Sequence, residues 1–132
     1  MNKEIITLIK YRMERAFEAL DEATMLITNG HSNTFVNRLY YACFYAATAL
    51  LLAMDFSSSK HSGVRALFHK EVIKPGIMDQ DYGKLFDRFF DTRQKADYAD
   101  LIQFDPEEVR PWYNEAEKFV NEVNKILQEE YL

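Results

Sequence analysis

Cysteine is almost absent from this chain of 132 residues. With Cys43 alone, no internal disulfide and no cysteine-based metal centre can form, and its apolar surroundings make it a small buried hydrophobe. Glycine and proline are nearly as scarce, at four and three, which excludes a glycine-rich phosphate loop and any low-complexity linker. No stretch alternates in the manner of a strand, and no internal repeat is visible. Long hydrophobic runs are missing too. The longest uncharged segment, residues 39–54, has sixteen residues against the ~20 needed to cross a bilayer, carries tyrosines through its middle, and reads as a buried helix. The first fifteen residues interleave charges with their apolar positions and lack a small-residue cleavage site, so they do not read as a signal peptide. A soluble, cytoplasmic chain with no membrane partner is therefore expected. Positive charge is in the minority, 16 Lys plus Arg against 21 Asp plus Glu. The net charge of −5 argues against a protein that coats nucleic acid through its overall field, while leaving a local basic patch open.

What the chain has in quantity is apolar and aromatic side chains: 48% hydrophobic residues, with ten Phe and eight Tyr. At this length roughly two-thirds of the unfolded surface is removed from water on folding, which suits a single domain spanning residues 1–132. Helical periodicity dominates. Ile5, Ile9, Met13, Ala16, Phe17, Leu20, Ala23 and Ile27 predict a first helix that Gly30 ends at about Asn29. A second helix, capped by Ser32 or Asn33, runs to about Asp55 and is apolar nearly all round, so neighbouring helices, and a second copy of the chain, are expected to cover it. Residues 56–60 read as a loop, and Val64, Leu67, Phe68 and Val72 as a short helix ending at Lys74-Pro75-Gly76. Tyr82, Leu85, Phe86, Phe89 and Phe90 mark a fourth, capped by Asp79 or Asp81 and continuing to about Tyr98. Asp105, Pro106 and Glu108 start a short turn. The main last helix begins at Pro111 and buries Trp112, Ala116, Phe119, Val123 and Ile126. The expected fold is all-α, an up-and-down four-helix bundle with an additional short helix.

The usual catalytic constellations are absent, and no cofactor or metal site is expected. His61 and His69 lie too far apart along one helix to chelate an ion from adjacent turns, and Asp79, Asp81, Asp87 and Asp91 read as a cap followed by a solvated helix face. Positive charge, however, is concentrated. Residues 60–74 hold Lys60, Arg65, Lys70 and Lys74 against Glu71, and residues 84–95 hold Lys84, Arg88, Arg93 and Lys95 against Asp87 and Asp91. Such clusters attract phosphate, which arginine grips with two parallel hydrogen bonds. All of the net acidity can be assigned to residues 105–130, where eight acids face three bases. The second helix also carries a polar line, Thr34, Arg38, Tyr41, Tyr45 and Thr48, which reads either as a hydrogen-bonded interior or dimer seam or as the wall of a ligand cleft.

The aromatic-rich run 37–51, the segment His61-Ser-Gly-Val64 leading to Phe68, the run Arg93-Gln-Lys-Ala-Asp-Tyr98, and Ala116 with Phe119 follow one another in a familiar order. From about Tyr11 to Leu127 the chain resembles the HEPN (higher eukaryotes and prokaryotes nucleotide-binding) family, in particular its small stand-alone prokaryotic branch. The resemblance implies a helical bundle paired as a homodimer and a place in RNA biology, often as the toxin of a toxin–antitoxin pair with a minimal nucleotidyltransferase. Active HEPN ribonucleases resemble one another in an Arg followed, after four to six residues, by a His that serves metal-independent cleavage. Arg93 matches that Arg. Tyr98, Ala99 and Asp100 stand where the His would be, and a tyrosine with a pKa near 10 is a poor base at neutral pH. Three functions follow for test: an RNA- or nucleotide-binding protein using Arg38, Lys60, Arg65, Arg93 and Lys95; an endoribonuclease using Arg93 with His61 or Tyr98; and a non-catalytic dimerisation module in which Arg93 pairs with Asp97 or another acid.

Overall fold

The computed structural model describes residues 1–98 and 102–132, the side chain of Tyr98 aside. Among the described residues the regular structure is entirely helical: α1 (Lys3–Thr28), α2 (Ser32–Ala53), α3 (His61–Leu67) continued by a π-helical stretch (Phe68–Ile73), α4 (Gln80–Tyr98), α5 (Pro106–Val109) and α6 (Trp112–Glu130). This is the expected bundle.

α1 and α2 form its closest pair. The alanines Ala16, Ala19 and Ala23 of α1 and Ala42, Ala46 and Ala49 of α2 are fully buried, and residues this small let two helix backbones come close. Phe17, expected inside, points outward and is 36% exposed, while Ala19 is buried. The seam is thus set by the alanine line, and Phe17 falls beside it. The two helices end alike. The backbone N–H groups of Gly30 and His31 return to Ile27 and Leu26, and those of Asp55 and Phe56 to Leu52 and Leu51, each bridged by a left-handed residue, Gly30 (φ 79°) and Asp55 (φ 70°).

α2 is the central rod, packed against α1, α4 and α6 and touching α3, the π-helical stretch and α5. Two-thirds of its most apolar window is buried by these neighbours, so a single chain already covers most of the helix. Ser32 and Asn33 do not cap it. They lie within its first turn and hold the segment before α5 instead: Asn33 Nδ2 donates to the Ile102 carbonyl at 2.8 Å, its Oδ1 accepts from the Phe104 N–H at 2.9 Å, and Ser32 Oγ donates to the Phe104 carbonyl.

The short helix after the 56–60 loop departs from α geometry at Phe68. The Lys74 N–H reaches the His69 carbonyl five residues back, at 2.9 Å, which widens the turn. Phe68 and Val72 enter the core while His69 Nε2 meets Asp87 Oδ1 of α4 at 2.8 Å. Phe68 then packs with Phe86 of α4 and Phe119 of α6 at centroid separations of 5.2 and 5.5 Å. Asp79 accepts from the Gln80 N–H at the start of α4, and Asp105 caps α5 with Pro106 in its first turn. α6 begins at Trp112 rather than at Pro111, and it buries Ala116, Phe119 and Val123 as expected. Val120 and Leu127 are buried with them, whereas Trp112 and Ile126 are only half-buried. Cys43 is buried and free, as expected.

Candidate functional site

The site lies where the middle of α2 faces the start of α3 and the last two turns of α4. Arg93 projects from α4 across α2. Its guanidinium sits over the rings of Tyr40 and Tyr41, at 4.9 and 5.8 Å from their centroids. Nη1 donates to the Tyr41 hydroxyl at 3.1 Å and lies 3.6 Å from Asp97 Oδ2. The side chain is only 11% exposed, and Nε is buried with no hydrogen-bond partner among the described residues. A buried cation held chiefly by ring faces, with one N–H unanswered, is an arrangement that packing alone does not favour.

His61, the first residue of α3, arrives from the other side. It stacks on Phe44 at 4.2 Å with the planes 10° apart, and Nδ1 lies 2.8 Å from the Tyr40 hydroxyl. One hydrogen bond joins that pair, its direction set by the imidazole tautomer. Burial, and then the nearby charge of Arg93, push the His61 pKa below its ordinary value, so the ring is neutral near pH 7. Burial holds the Tyr40 hydroxyl firmly protonated. Arg93 and His61, which stand 32 positions apart in the sequence, therefore share Tyr40 and Tyr41 as a common aromatic wall.

The other residues singled out from the sequence divide. Arg38 belongs to the wall: it lies over Tyr41 at 5.0 Å, donates to Asn37 Oδ1 at 2.9 Å, and approaches Glu22 Oε1 at 3.6 Å, near enough for attraction but not for a hydrogen bond. Arg65 is bound up on α4, with Nε on Asp87 at 2.9 Å, Nη1 on Asp91 at 3.3 Å and its guanidinium over Phe90. Arg88 pairs with Glu115 of α6. The two basic segments thus do not merge into one free patch. Lys60 stands exposed beside His61, and Lys95 exposed in the last turn of α4. The Tyr98 side chain, like Ala99 and Asp100, lies outside the described residues. Arg93 does meet Asp97, one turn away, alongside its tyrosine contacts.

Four contributors were missed in the sequence. Tyr40 and Phe44 look like core positions of an apolar helix, and their role at the wall depends on where α3 returns. Arg12 and Arg15 of α1 lie along the same side: Arg15 sits over Tyr45 at 5.4 Å, and Arg12 Nη1 donates to the Thr48 carbonyl at 3.3 Å. Their three-residue spacing puts them on one helix face, a signal the sequence does carry. Which helix that face meets is not written in it. The polar line of α2 proves to be half-exposed wherever it faces these arginines.

A larger cleft, about 630 Å³, lies elsewhere, between α4 and α6. Its rim alternates Lys84, Lys118 and Arg88 with Asp81, Glu115 and Glu122, and no histidine or unpaired guanidinium lines it. The Arg93–His61 wall is the better candidate on chemistry.

The sequence model of the HEPN domain matches residues 9–126. A "UPF0332 protein" of Thermotoga maritima is 42% identical over 92% of both chains. A protein of Methanocaldococcus jannaschii named "Putative toxin" is 35% identical over 98% of this chain and 96% of its own. A second protein of that name from the same organism is 32% identical over 87% of this chain and 78% of its own. An all-helical bundle, a family match over residues 9–126 and relatives aligned over most of their length place this chain in the HEPN domain family.

Proposed function

We propose that this protein is an RNA- or nucleotide-binding HEPN protein of toxin–antitoxin type that acts as a homodimer in the cytoplasm, partnered by a minimal nucleotidyltransferase. Two relatives carry the word toxin in their names, which supports the setting. The observation that carries the binding role is Arg93, a nearly buried guanidinium on two tyrosine rings with Nε left without a partner among the described residues. A phosphate oxygen is the acceptor such a group suits best. Arg38 lies on the same wall and Lys60 next to His61, and unpaired bases can stack on Tyr41 and Tyr45 in place of the Arg38 and Arg15 guanidinium groups that cover them. Lys95 extends the contact along α4, while Arg65 joins it only by exchanging Asp87 and Asp91 for the phosphate. Phosphate-dependent thermal stabilisation that is present in the wild type and absent in Arg93→Ala is the expected result. Equal stabilisation of both would sink the assignment and favour the dimerisation module, in which Asp97 is the purpose of Arg93. Light scattering at micromolar concentration tests the homodimer, and a monomer would remove the cleft between two such walls.

One observation favours cleavage as a second reading. His61, neutral and bonded to Tyr40, stands beside the arginine in the role that the family's motif gives to a histidine here absent. A neutral imidazole can take the proton of a ribose 2′-hydroxyl as that oxygen bonds to phosphorus. The P–O5′ bond then breaks and the leaving oxygen takes up a proton, while Arg93 steadies the phosphate charge. RNA cleavage that persists in EDTA and is lost in both Arg93→Ala and His61→Ala is the expected outcome of this reading. An activity that neither change alters would exclude it.

A further inference from the structure

Beside the wall, and sharing His61 and Phe44 with it, lies a separate cavity of about 270 Å³. Its floor is apolar, with Phe44 and Phe56 among its members, and its rim carries Arg12, His61 and serines 57–59, of which Ser58 turns its hydroxyl to the Lys60 backbone. Arg12 is the unusual member. It is half-buried, its recorded hydrogen bond goes to a backbone carbonyl at 3.3 Å, and among the described residues no carboxylate forms an ion pair with it. Burial without a counter-charge disfavours its cationic form. Each of the other arginines near the wall has an acid: Arg15 has Glu18, Arg38 has Glu22 and Arg93 has Asp97.

A partly desolvated guanidinium beside the serines at 57 and 59 is a site for a phosphoryl group. The aromatic floor behind it takes the face of a base. The volume lies just below the ~300 Å³ at which drug-sized pockets begin, which suits one nucleotide and not two. We propose that this cavity holds one unstacked nucleotide of a single-stranded RNA, its phosphate on Arg12 and serines 57 and 59 and its base against Phe56 and the side of Phe44 that His61 leaves uncovered. The neighbouring stretch of backbone is thereby delivered to His61 and Arg93. The subsite rests on the RNA reading given above, and it adds to that reading a defined binding register on α1 and the 56–60 loop.

The test is fluorescence anisotropy of a labelled single-stranded oligoribonucleotide over a salt titration, with wild type, Arg12→Met, Ser59→Glu, Arg93→Met and, as a control on α6, Lys125→Met. Arg12→Met is expected to weaken binding about tenfold or more, the worth of one charge-assisted contact, and to reduce the slope of log K against log salt by about 0.7. Ser59→Glu changes an exposed loop residue, keeps the fold, and sets a carboxylate on the rim; it is expected to weaken binding comparably. Lys125→Met should bind as wild type does. If Arg93→Met loses binding while Arg12→Met and Ser59→Glu retain it, the subsite is overturned and the RNA reading stands. If the wild type does not bind the oligonucleotide, both fall. Free adenosine monophosphate that binds as tightly as the strand, and does so through Arg12, would overturn the strand as the occupant.

Discussion

Replacing Arg93 with methionine keeps most of the apolar stem and removes the guanidinium, so it separates what that group does for the fold from what it does for a ligand. Several favourable contacts are lost. The bond to the Tyr41 hydroxyl at 3.1 Å is worth about 1.5–3 kcal/mol as a hydrogen bond to a charged group. The cation–π contact with Tyr40 at 4.9 Å adds about 1–2 kcal/mol in a partly desolvated setting. The Asp97 pair, one turn away and more than a third exposed on the acid side, adds roughly 0.3–0.5 kcal/mol. Against these stand the effective cost of burying one charge, several kcal/mol, and about 1–3 kcal/mol for the unanswered Nε. The two sides close to within a few kcal/mol. Arg93→Met is therefore expected to move the thermal midpoint by less than about 12 °C, at roughly 4 °C per kcal/mol for a chain of this length. RNA binding, by contrast, should fall tenfold or more. Differential scanning calorimetry alongside the binding titration reads both. A fall in midpoint of more than about 12 °C would show that the guanidinium holds the bundle together, and the inference from its incomplete pairing to a ligand would be refuted.

The remaining predictions concern the loop, the histidine and a helix end. A β-carbon at Gly63 would stand 2.0 Å from Ser58 Oγ and 2.9 Å from Ser58 Cβ, so Gly63→Ala should cost about 1–3 kcal/mol by urea unfolding. The double change with Ser58→Gly should recover most of it, and no recovery would place the strain elsewhere. The pKa of His61 is lowered in the folded chain, so the unfolded chain, with a value near 6.5, takes up this proton first. Stability is thus undiminished above about pH 6.5 and falls as the pH drops below it. In thermal melts across that range His61→Gln should lose stability less steeply than wild type, and parallel curves would contradict the assignment. Asp55 holds a left-handed φ of 70° at the end of α2, where a non-glycine residue carries a penalty of ~1–2 kcal/mol that aspartate bears more easily than most. Asp55→Gly is expected to raise the urea midpoint by the equivalent of up to ~1 kcal/mol, and a fall would mean that the carboxylate contributes more than the backbone costs.

Elements and their order were legible in the sequence because helix formation is written locally. The three- and four-residue apolar spacing of α1, Gly30 after it, and Asp105-Pro106 at the start of α5 each act within a few residues, and each lies where its spacing put it. Composition likewise marked Cys43 as a buried residue with no disulfide partner, and placed the net acidity in residues 105–130. Local charge counts did less well. Residues 60–74 and 84–95 look basic in the sequence, yet Arg65 is spent on Asp87 and Asp91, and Arg88 on Glu115. Ion pairing between helices depends on rotation about helix axes, and no local pattern encodes that rotation. The same holds for Ser32 and Asn33, whose side chains suit a helix cap but find stronger partners in a segment about seventy residues away.

The sequence by itself therefore determined a helical HEPN bundle and picked out Arg93, because periodicity and motif order are one-dimensional properties. Only the tertiary structure decided that His61 reaches Tyr40 beside that arginine, and that Arg12 stands half-buried over the serine loop without a described acid. Those are contacts between residues far apart along the chain, set by how closely the alanine seam draws α1 onto α2 and by the turn that returns α3 across the same face.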